Sequence, residues 1–290
     1  MFERVSVGRA GGLAACLVLL LTSAAAADGT AWLPEPGSGY VSVSLVHQSA
    51  DEFYAADRKR PTPGAADLSQ GTVWINANYA LADGWAVDLQ TGWARSEFVT
   101  GPGIPTMSAS FRGMTDASVG ITRRLTDETM GAVPSIAVRL GGIASGDYET
   151  GQINSLGDGG SGYEFSAIVG RFFAGRLGLS CEVGQRYRES DIPSEWFANL
   201  AALWLVGGVV TIGLDYRLVD SRGELDIGAP DFTPARFPEL DEDHQAIGVR
   251  AFFNVGGFGV STFHSRVIDG RNTAASGVFG LAVSRSFGAL

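Results

Sequence analysis

Ten charged side chains stand at alternate positions within otherwise apolar or small-residue segments: Asp88, Asp116, Arg124, Arg139, Glu164, Glu182, Arg186, Asp215, Arg217 and Arg250. Their neighbours on the same parity are Gly, Ser, Thr and Asn. Two chemistries fit such a set once it faces an enclosed space. Acids opposed to arginines create a transverse field that orients and selects polar solutes. The same groups can instead neutralise one another as internal ion pairs and close the interior. Acids and bases are nearly equal in number, which favours the second outcome slightly. Trp74 and Phe252 share this face and either line an aromatic-friendly path or pack.

Nucleophilic chemistry has less to work with. The only histidines are His47, His244 and His264, and only His264 has an adjacent Ser, Ser265. Neighbouring residues on a strand point to opposite faces, so this pair cannot act as nucleophile and base. A partner across strands stays open, but bases are scarce and no catalytic residue or cofactor is expected. Cys181 falls on the apolar parity and reads as an inert small residue.

These residues must be positioned by strands. Val73, Ile75, Ala77, Tyr79 and Leu81 occupy every second position, as do Trp85, Val87, Leu89, Thr91 and Trp93, and Leu177, Leu179, Cys181 and Val183. Period two over about ten residues marks a strand whose faces meet different media. A soluble sandwich would place long charged side chains on its second face. Here that face is small and polar, without Lys in any strand, as suits the lumen of a barrel whose outer wall touches lipid. Tyr40, Trp85, Trp93, Phe98, Phe172, Phe173, Tyr187, Trp196, Tyr216, Phe258 and Phe287 lie near strand ends and are expected in the two interfacial girdles.

The pattern predicts strands at 40–50, 72–81, 85–94, 114–125, 133–143, 161–173, 177–188, 196–206, 209–218, 244–253, 258–267 and 277–287. The connections then alternate long and short, as in transmembrane barrels with long outer loops and tight periplasmic turns. The expected fold is all-β: a closed antiparallel transmembrane β-barrel of about twelve strands, within a range of ten to fourteen. Closure follows because hydrocarbon offers no water to open strand edges. Trp196–Leu214 carries no charge and competes as a membrane helix. Gly207-Gly208 at its centre, followed by Val209, Val210, Thr211 and Ile212, favours a hairpin instead. No plug domain is expected, since only Asp28–Gly39 precede the first strand in the exported chain.

The acidity is local. The six long connections hold 20 acidic against 8 basic residues, within a chain of formal charge -10. That balance excludes nucleic acid as a partner, since phosphate binding needs clustered Lys and Arg. The stretch 219–243, with Asp220, Glu224, Asp226, Asp231, Glu239, Asp241, Glu242 and Asp243, reads as a solvated outer rim. Divalent cations could bridge it to lipopolysaccharide phosphates, or Ca²⁺ could sit among its carboxylates, although no spacing matches a known calcium loop. Gly157-Asp158-Gly159-Gly160 reads as a turn.

Residues 1–27 read as a secretory signal peptide: Arg4 and Arg9, an apolar run Leu13–Leu21, then small residues Ala24–Ala27. Leu13-Ala14-Ala15-Cys16 is a weaker lipoprotein-type alternative. Residues 28–290 form the expected barrel domain, in which Cys181 is the sole Cys. Forty glycines among 290 residues, about twice the ordinary share, accompany this reading.

Asp116-Ala117-Ser118-Val119-Gly120, Arg123-Arg124-Leu125, Ser145-Gly146-Asp147, Leu156-Gly157-Asp158-Gly159 and the hairpin Tyr163–Phe173, Leu177–Arg188 resemble the outer-membrane barrel family named for the MetA pathway of phenol degradation. The family's usual Pro-Thr before Gly-Asp is Ala144-Ser145 here. Gly39–Ser42 and Ala50–Tyr54 are similar, more loosely, to XagA-type exported barrels. The resemblance implies a porin-like outer-membrane protein of a Gram-negative cell, taking up small molecules in contact with outer-membrane lipids and lipopolysaccharide. It carries over no catalytic residue. The expected function is a passive channel or transporter for small molecules. The alternatives are a structural or export-accessory barrel with a closed lumen and, at lower weight, a lipid-modifying enzyme.

Overall fold

The computed structural model describes residues 29–64, 66–99 and 110–288. The expected signal peptide lies outside the described residues.

Twelve antiparallel strands close on themselves: β1 (Gly39–Ala50), β4 (Leu68–Ala82), β5 (Trp85–Glu97), β7 (Ala117–Thr126), β8 (Ser135–Ala144), β9 (Gly162–Phe173), β10 (Leu177–Arg188), β11 (Glu195–Val206), β12 (Val210–Ser221), β13 (Asp243–Val255), β14 (Phe258–Arg271) and β15 (Gly277–Phe287). Each pairs with its sequence neighbours, and β1 seals the barrel by pairing with both β4 and β15. Val43 stands opposite Val283 on one side and Ile75 on the other. A small hairpin, β2 (Glu52–Ala55) with β3 (Arg58–Pro61), rises from the first long connection, and β6 (Ser110–Met114) pairs with the far end of β5. The single Lys, Lys59, is in β3 and pairs with Glu52 at 2.5 Å, outside the barrel wall.

Alternation became inside and outside. On β9, Tyr163 and Phe165 are more than half exposed on the outer wall, whereas Glu164, Ser166 and Ile168 are buried inside. Along β1, Val41, Val43 and Leu45 face out and Ser42 and Ser44 face in. Exposure of so many Val, Leu and Ile side chains would forgo about 1.5–3 kcal/mol each in water, so the outer wall requires an apolar medium.

The charge-free segment is the hairpin β11–β12. Gly207 and Gly208 both take positive φ, 60° and 72°, which a two-residue primed turn demands and which L side chains resist. Val209 N–H closes the turn on the Val206 carbonyl at 3.3 Å.

Outer-wall aromatics gather at both ends. At the short-turn end, Arg123 stacks over Trp85 at 4.9 Å, Arg285 over Phe258 at 5.2 Å and Arg171 over Phe173 at 5.7 Å. Such pairs present an apolar body and a charged tip to a headgroup layer. Three expected girdle members lie elsewhere. Tyr40 shares the inward parity of Ser42, Phe98 is buried at 2% exposure, and Phe172 packs inside against Trp32. Position near a strand end fixes height, while parity fixes the face.

The short segment ahead of β1 does not stay outside the lumen. Residues Gly29–Pro34 enter the lumen from the short-turn end: Ala31 is fully buried, and Trp32 and Leu33 nearly so. A segment too short for a domain is long enough to lie along one wall.

Candidate functional site

The lumen holds a row of charges set by strand register. Asp88 of β5 stands opposite Gly120 of β7, Gly120 opposite Gly141 of β8, and Gly141 opposite Glu164 of β9. Glu164 stands opposite Arg186 of β10, and Arg186 opposite Glu195 of β11. Two residues along β8, Arg139 fills the space over the glycines. A Cβ at Gly120 would come within 2.5 to 2.6 Å of its guanidinium, so the missing side chain makes the room.

Arg139 is 2% exposed. It donates to both Asp88 oxygens, Nε at 2.9 Å and Nη2 at 2.7 Å, and through Nη1 to Glu164. Arg186 donates to the other Glu164 oxygen at 3.2 Å and to Glu195 at 2.9 Å. The result is an alternating ladder, Asp88–Arg139–Glu164–Arg186–Glu195, across a third or more of the barrel wall. In a low-dielectric interior each charge needs its neighbours.

The other sequence-expected residues distribute around this ladder. Glu182 accepts from the Ser166 hydroxyl at 2.6 Å, from Asn199 at 3.0 Å and from the Gly29 N–H at 3.2 Å. Asp215 pairs with Arg250, whose Nε and Nη1 are buried without a hydrogen-bond partner. Arg217 of β12 stands in register with Asn199 of β11. Asp116 sits nearer the long loops, where it accepts from Arg188, from the Tyr148 hydroxyl and from the Gly146 N–H at 3.1 Å. Arg124 is at the short-turn rim, beside a β-bulge, and reaches Asp83 at 3.2 Å and Asp127 at 2.9 Å. The row therefore unites Asp88, Arg139, Glu164 and Arg186, and leaves Arg124 and Asp116 at opposite ends.

Sequence reasoning passed over Arg188, Glu195, Glu128 and Trp32. Arg188 shares the parity of Glu182 and Arg186 at the very end of β10, so alternation could have found it, whereas Glu195 stands one residue outside the expected strand 196–206. Glu128, in a short turn, accepts the Trp32 indole N–H at 2.7 Å and the Phe172 amide at 2.8 Å. Trp32 then packs on Phe172 with ring centroids 4.6 Å apart and touches Leu203 and Phe252. A Cβ on Gly170 would lie 2.7 Å from the indole, so this glycine too marks a close approach.

At the long-loop end, loop 145–161 folds inward. Arg188 holds the Gly160 carbonyl at 2.8 Å, and the Ser96 hydroxyl donates to the Asn154 carbonyl. Loop 222–242 is tied down by Arg271, which grips Asp226 with two bonds of 2.8 Å. Between these loops lies a cavity of about 410 Å³. Its lining includes Phe53, Phe98, Phe232 and Phe237, the amides Gln48 and Asn154, and the carboxylates Asp158 and Glu242. Burial pushes Glu242 up to about 8, helped by the charges of Asp158, Glu195 and Asp243 and opposed by the Thr273 hydroxyl. Burial likewise pushes Asp158 to about 6 against the pull of Arg188.

Among the described residues no three His, Cys, Asp or Glu side chains group so as to hold a metal ion. Several acids of 219–243 turn to arginines: Asp226 and Asp241 to Arg271, Asp231 and Glu239 to Arg236. His264 is exposed on the outer wall, while Ser265 has the opposite parity. Cys181 also faces outward, half-buried in an apolar groove with Leu179, Leu200 and Leu214.

Known structures share this architecture. An outer-membrane channel from Pseudomonas putida F1 superposes with a TM-score of 0.70 over 88% of this chain and 97% of that one, at 13% identity. The fold is that of outer-membrane β-barrels. The NanC porin follows at 0.53, 84%, 98% and 8%, and the KdgM porin at 0.50, 85%, 99% and 10%. At these identities the likeness is one of fold. No protein-family model and no curated protein matches the sequence.

Proposed function

We propose that this chain is a narrow channel for small molecules in the outer membrane, with long loops outward and short turns and the Trp32 segment toward the periplasm. The observation that carries this reading is the lumen's composition from end to end. A cavity of about 410 Å³ lies among the long loops, the wall below it carries paired charges, and among the described residues a short, non-covalently held segment packs the other end. The apolar outer wall supports a seat in lipid, and the Arg-topped aromatics of the short-turn end support contact with periplasmic-side headgroups. The resemblance of 116–188 to the MetA-pathway family, and the likeness of the fold to a channel and to porins, support uptake of small solutes. The signal-like residues 1–27 support export.

One observation favours the second reading, a closed structural barrel: Arg139 is sealed among its carboxylates. Single-channel recording of the refolded protein in a planar bilayer separates the two. Discrete opening steps, enlarged by Trp32→Ala, are the expected result. A silent membrane with both proteins, each shown folded by heat-modifiable gel mobility, overturns the channel reading.

A further inference from the structure

We propose that the cavity between loops 145–161 and 222–242 is a binding site for a protonated organic amine bearing an aromatic or alicyclic ring. This deepens the channel reading by naming a solute class and rests on it only for passage, since binding can be measured alone.

The size of the cavity falls within the range of small-molecule sites. Its apolar wall is aromatic: Phe232 and Phe237 meet edge to face at 5.3 Å, with Phe53 and Phe98 across from them. Its only ionisable lining groups among the described residues are Asp158 and Glu242; no Lys, Arg or His lines it. The nearby guanidiniums are engaged, Arg188 on Asp116, on Gly160 and, at 3.6 Å, on Asp158, Arg271 on Asp226, Arg236 on Asp231 and Glu239. An anion would therefore meet Glu242 with no guanidinium paired to it, and Asp158 beside a single Arg188 already shared with Asp116. A bare metal ion lacks the three ligands it needs. An ammonium group, by contrast, finds carboxylates and amide oxygens, and aromatic faces favour both its charge and its ring.

The two carboxylates also supply a signature. Glu242 is held by the Thr273 hydroxyl at 2.6 Å, and burial, with added repulsion from Asp158, Glu195 and Asp243, keeps it largely protonated at neutral pH. A bound cation offsets that repulsion, so Glu242 ionises and its proton goes to solvent. A neutral ligand of the same shape releases none.

The experiment is titration calorimetry of the folded full barrel in micelles, with protein-free micelles subtracted. The probes are phenethylammonium, 2-phenylethanol and 3-phenylpropanoate, each at pH 7 in two buffers of different ionisation enthalpy. The expected order is phenethylammonium first, 2-phenylethanol about tenfold weaker and 3-phenylpropanoate weakest, with proton release for the first alone. Glu242→Gln should abolish the release and cost about tenfold in amine affinity. Asp158→Asn should weaken the amine without touching the alcohol, and Phe237→Ala should weaken both. Equal affinity for amine and alcohol, or preference for the carboxylate, overturns the proposal. Conductance recorded in parallel separates the two readings: binding in a silent barrel removes the channel and keeps the site, and conductance without amine preference does the reverse.

Discussion

The guanidinium of Arg139 lies over Gly120 and holds Asp88, two strands away, through bonds of 2.9 and 2.7 Å. A side chain on β8 thus reaches β5 across β7, and only the glycine between them allows it. Arg139→Ala would leave Asp88 and half of Glu164 as uncompensated buried charges and should cost about 3–5 kcal/mol. Replacing Arg139 by Met together with Asp88→Asn and Glu164→Gln should recover most of that loss. Urea unfolding in micelles, followed by gel mobility, measures both.

Trp32 is the keystone of the inserted segment. Trp32→Ala removes the ring packed on Phe172, Leu203 and Phe252 and the bond to Glu128, a loss of about 3–5 kcal/mol for a buried Trp. The barrel wall keeps its own ladder of hydrogen bonds, so the segment should leave while the barrel stays folded. Single-channel conductance should rise severalfold, and Glu128→Gln should give a smaller rise.

The loop end should loosen in base. Glu242 has a folded-state value of about 8 against an ordinary 4.5. The folded loops therefore hold a proton that the unfolded chain gives up, and stability falls as pH rises from about 4.5 to 8. Limited proteolysis should cut loop 222–242 faster at pH 9 than at pH 6, and Glu242→Gln should remove the difference.

The outer wall should respond by depth. Val43, near the middle of β1, and Val255, at the turn end of β13, both face out. Val43→Arg should cost about 2–4 kcal/mol in bilayers and Val255→Arg about 0–1. Equal costs would contradict the proposed membrane position.

Much of the architecture was legible in the chain. Tyr163, Phe165 and Val169 alternate with Glu164, Ser166 and Ile168, and that alternation alone assigns β9 its two faces. Gly207-Gly208 announced the hairpin that replaced a helix of the same hydropathy. These signals are local, carried by residues within one strand or one turn. Tyr40, Phe98 and Phe172 show the limit: all stand near strand ends, yet their parity or a loop sends them inward.

What the sequence by itself determined is the set of strands, the faces of most of them and the long–short rhythm of their connections. Each follows from period two and turn chemistry between contiguous residues. Only the tertiary structure decided how the charges pair and what occupies the lumen. Arg139 meets Asp88 because closure and register bring residues 51 positions apart together over a glycine. Gly29 meets Glu182 across 153 positions, because the enclosed polar wall offers a carboxylate to a segment that no local pattern marks. Such contacts depend on barrel diameter and strand stagger, which belong to the closed sheet as a whole.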